Sequence, residues 1–151
     1  IIKLGGKKLE EYIHSTGFFH AKAKNIIATS KVLLENYDGK IPQSLEEMQK
    51  LPGVGRKTAG VVLAQSFKIP AFPVDRHIFR VTHRLALATA KTPDKTDEEL
   101  RTRIPEKFWI RMHLQLVFLG RQICRPKPKC SICPLLKYCP EGQKITKKRV
   151  N

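Results

Sequence analysis

Acidic residues are scarce in this chain: 13 Asp and Glu stand against 29 Lys and Arg among 151 residues, a formal charge of +16. Such an imbalance points to a polyanionic partner, because each phosphate neutralised by Lys or Arg releases a condensed counterion. Aromatic residues are also few, at 7%. No apolar run is long enough to cross a bilayer, and the opening residues do not form a secretory signal, so neither a membrane span nor an exported protein is expected. Ile1 stands where an initiator methionine would, and the N-terminus reads as a cut edge. Alternating apolar and polar residues of the kind that build strands are missing as well. Cysteine is absent from the first 123 positions, and the four that exist fall between 124 and 139. With no secretory segment ahead of them, a metal site is a better reading than a disulfide framework.

What remains is helical periodicity, so the expected fold class is all-α. A helix over 7–16 carries Leu9, Tyr12 and Ile13 on one face and stops at Gly17. A second, over about 21–37, buries Ala23, Ile26, Ile27, Leu33, Leu34 and Tyr37 and ends at Asp38-Gly39. Ser44-Leu-Glu-Glu47 is a capping box that opens a short helix. The next helix runs from about Arg56 to Phe67, with Ala59, Val62, Leu63 and Phe67 inward. Asp75 is placed to cap a helix over 76–88, whose opposite face carries Arg76, Arg80, His83 and Arg84. That basic stripe suits a phosphate backbone or a solvated surface equally well. Thr96-Asp-Glu-Glu99 reads as a second capping box, followed by a helix over about 105–123. Two regions result, a helical domain over 1–104 and a segment over 105–151 made of the long helix, the cysteine loop and a basic tail.

Between the third and fourth helices lies Leu51-Pro-Gly-Val-Gly55. Pro52 ends one helix, and the glycines allow backbone angles closed to other residues while leaving the next helix's N–H groups bare toward a phosphate. With Arg56 and Lys57 following, residues of about 44–67 form a candidate helix-hairpin-helix, a grip on the DNA backbone that ignores base sequence. Leu51, Pro52, Gly53, Val54, Gly55 and Arg56 are its expected contacts.

Lys57 lies in the first turn of a helix, where the dipole repels a cation and favours the neutral amine that attacks carbon. Asp75 follows eighteen positions later. A carboxylate beside an amine would suit glycosidic cleavage, since positive charge builds on the sugar as the bond breaks. Taken singly, a lysine near a hairpin is a phosphate contact and an aspartate before a helix is a cap.

The cysteines follow the pattern Cys124-x5-Cys130-x2-Cys133-x5-Cys139, with prolines at 126, 128 and 134 opposing helix. Four thiolates so close in sequence can hold one tetrahedral zinc or one cubane iron–sulfur cluster, and the spacing does not choose between them. Arg125, Lys127 and Lys129 lie between the first two ligands, so a metal there would pin a basic loop. From Gly120 onward there are nine Lys and Arg and only one acid, Glu141, which makes this end a binding face.

In combination the sequence resembles the endonuclease III family of the helix-hairpin-helix glycosylase superfamily. The likeness rests on Leu51-Pro-Gly-Val-Gly-Arg-Lys-Thr-Ala59, on Val74-Asp-Arg-His-Ile-Phe-Arg80, and on Gly120-Arg121 ahead of the four cysteines. It implies a bifunctional DNA glycosylase and abasic-site lyase acting on oxidised pyrimidines. Lys57 would be the Schiff-base nucleophile, Asp75 the catalytic carboxylate, and Cys124, Cys130, Cys133 and Cys139 the ligands of a [4Fe–4S] cluster. The implied partner is double-stranded DNA with damaged bases or abasic sites, met inside the cell by a monomer. Competing expectations are a monofunctional mismatch or uracil/thymine glycosylase and a non-catalytic DNA-binding fragment. Three departures stand out: the family's further upstream helices are missing, the first cysteine gap is five residues rather than six, and Arg76 replaces a threonine.

Overall fold

The computed structural model describes residues 1–148, and among these every regular element is helical. Eight α-helices are found there: α1 (Gly6–Ile13), α2 (Phe19–Asn36), α3 (Leu45–Gln49), α4 (Arg56–Ser66), α5 (Arg76–Arg84), α6 (Pro93–Arg103), α7 (Trp109–Gln122) and α8 (Pro140–Lys147). The chain gathers into two compact units, residues 1–63 and 64 onward, divided inside α4. None of the described helices is long and apolar enough to cross a membrane. Arg149, the last basic residue of the tail, lies outside the described residues.

The first unit is built on α1 against α2. Leu9, Ala23, Met48, Leu51, Ala59 and Leu63 are its buried apolar side chains. Two residues expected inside are not: Tyr12 is 70% exposed and Leu34 is 60% exposed. α2 ends through two left-handed residues, Asp38 at φ 52° and Gly39 at φ 73°, with the Gly39 N–H donating to the Leu33 carbonyl at 2.8 Å. Ser44 caps α3 as its sequence predicts, accepting from the Glu47 N–H at 3.1 Å. Tyr37 then donates its hydroxyl to the Glu47 carboxylate at 2.8 Å, which ties α2 to α3.

The second unit buries Phe72, Val74, Ile78, Val81, Ala88, Leu100, Trp109 and Leu116 in one cluster. Its central contact is α5 on α7, and Gly120 permits it. A Cβ there would stand 2.9 Å from His77 Cβ and 3.2 Å from Val81 Cγ2, closer than packed side chains tolerate.

Four helix boundaries differ from expectation by three residues or more, the first being the end of α1, which stops at Ile13 rather than 16. α5 stops at Arg84, not 88, because Ala86 turns left-handed at φ 56° and the Leu87 and Ala86 N–H groups close back on Thr82 and His83. That is the bonding of a Schellman motif with alanine where glycine is usual. α6 begins at Pro93 with Thr92 as its cap, accepting from the Lys95 N–H at 3.3 Å. Thr96, expected to be the cap, is fully buried a turn later. Proline suits the first helical position because its missing N–H has no partner there to lose. The long helix starts at Trp109 after a 3-10 turn over Glu106–Phe108.

Candidate nucleic-acid interface and metal centre

The hairpin lies wholly in the first unit. Leu51 is buried and anchors it, and the Val54 N–H donates to the Leu51 carbonyl at 3.1 Å to close a tight turn. Gly53 sits at φ +73°, and a Cβ there would strike the Asn25 side chain at 2.5–2.7 Å, so both backbone angle and space require glycine. The Gly55 carbonyl accepts from the Ala59 N–H at 3.0 Å, which makes Gly55 the residue that opens α4. The N–H groups of the first helical turn have no carbonyl above them, and Gly53 and Gly55 are both exposed. This bare backbone can take an oxyanion. Lys57 stands in the same turn and is exposed.

Asp75 lies in the second unit as the N-cap of α5. Its Oδ1 accepts from the His77 and Ile78 N–H groups, both at 2.8 Å, and the residue is half-buried. Both cap bonds fall on Oδ1, which leaves Oδ2 outside the cap. Arg76 beside it is exposed. Lys57 and Asp75 thus belong to different units, each on the first turn of a helix or at its cap.

The basic stripe of α5 is not a phosphate-facing surface along its length. Arg80 donates to the carbonyls of Gly120 and Cys124, both at 2.9 Å, and so satisfies groups left open where α7 ends. Arg84 donates to the carbonyls of Arg125 at 2.6 Å and Pro126 at 3.0 Å. His83 has Nδ1 at 2.6 Å from the Phe79 carbonyl and Nε2 at 2.8 Å from the Ala90 carbonyl. Three of the four stripe residues hold the fold, and Arg76 alone of them is exposed.

What Arg80 and Arg84 hold is the cysteine loop. Cys124, Cys130, Cys133 and Cys139, none of them in a disulfide, all line one small hollow. Ile123, Pro128, Leu136 and Ile145 supply apolar wall, and Arg84 and Lys129 are the charged residues among its lining. The Arg84 Nη1 lies 3.5 Å from Cys124 Sγ, and the Cys139 thiol meets the Arg84 carbonyl at 3.2 Å. Cys139 also caps α8, its sulfur accepting from the Gly142 N–H at 3.2 Å. Gly142 keeps the hollow open, because a Cβ there would stand 3.3 Å from Cys139 Sγ and 3.2 Å from Leu136 Cδ1. Among the described residues no three His, Cys, Asp or Glu gather closely enough to hold a single metal ion, although the four cysteines line the same hollow. Soft thiolates around a partly apolar hollow fit an iron–sulfur group. Arg125, Lys127 and Lys129 all point to solvent from the loop between the first two cysteines.

Sequence reasoning found Arg80 and Arg84 but not their hold on the cysteine loop, and it missed Gly142 at this hollow and Asn25 and Thr29 beside the hairpin. Only Gly142 carried a signal, as a glycine placed within the first turn of a helix.

Residues 1–106 match the family described as HhH-GPD superfamily base excision DNA repair protein, which sets the class. Within that class, Endonuclease III of Rickettsia felis is 47% identical over 140 residues, covering 92% of this chain and 66% of the relative. Two solved structures match with TM-scores of 0.91 at 38% identity, a non-covalent endonuclease III–DNA complex and a trapped endonuclease III–DNA covalent intermediate. They cover 97% and 96% of this chain, and 69% of the matched chain in each case. The chain belongs to the endonuclease III family of the HhH-GPD superfamily. It spans about two thirds of the length of the curated relatives it matches.

Proposed function

We propose that this chain is a DNA glycosylase and abasic-site lyase of base excision repair, acting inside the cell on duplex DNA that carries oxidised pyrimidines or abasic sites. One observation carries the reading. An exposed lysine stands in the first turn of α4, directly after a glycine turn whose backbone is bare, in a family whose solved members include a covalent DNA intermediate. The net charge of +16 and the exposed Arg125, Lys127 and Lys129 supply further backbone contacts.

In this mechanism the hairpin over 51–56 holds phosphates while the damaged nucleotide leaves the stack. The neutral Lys57 amine attacks the anomeric carbon. The C–Nζ bond forms as the glycosidic bond breaks, and the base departs with the electron pair and takes a proton from water. Asp75 is the carboxylate assigned to offset the positive charge that builds on the sugar, and the proton that Nζ sheds passes to water. The nitrogen lone pair then opens the sugar ring, breaking the bond from the anomeric carbon to the ring oxygen, which takes a proton from water. The resulting protonated imine acidifies the proton on the neighbouring sugar carbon. Loss of that proton expels the 3′ phosphate, and water then returns the lysine.

Cys124, Cys130, Cys133 and Cys139 would hold a [4Fe–4S] cluster. Membership of the endonuclease III family supports this reading over zinc, and four cysteine thiolates are the ligand set such a cluster takes. When bound it supplies a covalent staple that fixes the basic loop.

Borohydride trapping on abasic-site duplex tests the reading. Wild-type protein is expected to form a covalent adduct that Lys57→Gln cannot form. Glycosylase activity with no adduct points to a monofunctional enzyme, and DNA binding with neither activity points to a binding module; both outcomes sink the lyase. A colourless protein that purifies with zinc and no iron sinks the cluster.

A further inference from the structure

The strongest unassigned arrangement in the first unit is the contact between α2 and the hairpin. Ser and Thr hydroxyls inside helices commonly bond back to the carbonyl four residues earlier. Ser30 does so, donating to the Ile26 carbonyl at 2.8 Å, and Thr82 does the same to Ile78 at 2.8 Å. Thr29 does not. Its hydroxyl reaches out of α2 and donates to the Pro52 carbonyl at 2.7 Å, half-buried, across 23 positions of sequence. One helical turn away on the same face, Asn25 lays its side chain over Gly53, where an added Cβ would meet Asn25 Nδ2 at 2.5 Å and its Cβ and Cγ at 2.7 Å.

These two contacts fall on the two ends of a single peptide group, Pro52–Gly53. The turn over 51–54 has Pro at its second position, Gly at φ +73° at its third, and a Val54 N–H donating to Leu51, the pattern of a type II turn. Type I and type II turns differ by a flip of this middle peptide, and glycine leaves both open. A peptide is planar and trans, so fixing the direction of its carbonyl fixes its N–H in the opposite direction. Thr29 draws the Pro52 carbonyl toward α2. The Gly53 N–H is thereby turned away from α2, toward solvent, on an exposed residue.

We infer that Thr29, with Asn25 as backstop, is a positioning pair that locks the hairpin in the one of two turn states that offers the Gly53 N–H to a DNA phosphate. The inference rests on the hairpin being a DNA grip, as proposed above. It adds a requirement: part of the grip's affinity is set by α2, which need not touch DNA at all.

Thr29→Val keeps the side-chain shape and removes the donor. Duplex DNA binding by this variant is expected to weaken roughly tenfold, the value of one hydrogen bond to a half-buried acceptor. Thr29→Ser should restore it. At saturating abasic-site DNA the single-turnover trapping rate should stay within about twofold of wild type, so that the loss appears in binding and not in chemistry. The Gly53 amide resonance, recorded without DNA, should shift in Thr29→Val and return in Thr29→Ser. Wild-type protein that fails to bind duplex DNA would overturn the functional reading itself. Wild-type binding with equal affinity in Thr29→Val, or no rescue by Thr29→Ser, overturns only the positioning role. Where Thr29→Val proves unfolded at the assay temperature, Asn25→Ala, a change at an exposed residue, decides: binding weakened severalfold supports the lock, and unchanged binding defeats it.

Discussion

Arg84 and Cys124 approach each other to 3.5 Å, guanidinium nitrogen to sulfur, across 40 positions of sequence. The same guanidinium spends two donors on the carbonyls of Arg125 and Pro126, and the Arg84 carbonyl meets the Cys139 sulfur. One residue of α5 therefore touches both the first and the last cysteine of the loop. Arg84→Gln keeps helix and bulk but cannot span both carbonyls. It is expected to cost about 1–3 kcal/mol by thermal unfolding and to speed bleaching of the visible absorption under air. A variant that holds its iron and colour as long as wild type would show that the contact is incidental.

Gly142 and Gly120 are two glycines needed for space rather than for backbone angle. At Gly142 a methyl group would press on Cys139 Sγ at 3.3 Å and on Leu136 at 3.2 Å. At Gly120 it would meet His77 Cβ at 2.9 Å, with the His77 backbone behind it at 3.4 Å. The neighbour at Gly120 cannot retreat, so Gly120→Ala should cost roughly 2–3 kcal/mol, and Gly142→Ala about 1–2 kcal/mol. The two should separate by colour. Gly142→Ala is expected to lower iron content per chain, while Gly120→Ala lowers the thermal midpoint with iron retained in the folded fraction. Equal iron loss in both would mean that the hollow senses only global stability.

How far the sequence carried depended on the range of the interaction. The Ser44 and Asp75 caps, the hairpin turn and the four-cysteine loop were legible because each is written within a few consecutive residues. Thr96 misled because a capping-box pattern also occurs where Thr92-Pro93 already starts the helix, and burial of Thr96 decided against it. Arg80 and Arg84 read as either a phosphate-facing stripe or a solvated face, because spacing shows which face they share but not that the end of α7 and the loop after it supply carbonyls to that face. The reach of Thr29 to Pro52 had no sequence signature, since a helical threonine ordinarily bonds within its own helix.

The end of α5 was missed for a related reason, and it yields a stabilising change. Ala86 holds φ 56° at the position where a Schellman motif favours glycine, and nothing in its identity announces the stop. A left-handed alanine costs about 1–2 kcal/mol, and glycine gives back roughly half to one of these in unfolded-chain entropy. Ala86→Gly is therefore expected to stabilise by about 0.5–1 kcal/mol, read as a raised denaturation midpoint with unchanged slope. Destabilisation by this exposed substitution would mean that the Ala86 methyl group carries packing the turn needs.

Glu99 supplies the pH dependence. From α6 its carboxylate accepts the Thr89 N–H at 2.8 Å and the Ala90 N–H at 3.0 Å, and it pairs with Arg103 at 2.8 Å. The two backbone donors, Thr89 first, hold its pKa below the ordinary carboxylate value, with Arg103 adding to the effect. A carboxyl depressed in the folded state binds its proton more weakly there than in the unfolded chain. Its stabilisation is complete above the unfolded value, near 4.3, and drains away as pH falls through the lower native value. Glu99→Gln cannot titrate and pairs less well with all three partners. Wild type should exceed the variant in stability at neutral pH, and the gap should narrow below about pH 4.5 and close in stronger acid. Denaturant titrations from about pH 3 to 7 measure it. A gap that stays constant across that window would show that Glu99 acts through shape alone, and that the 89–90 turn is held by something other than the carboxylate's charge.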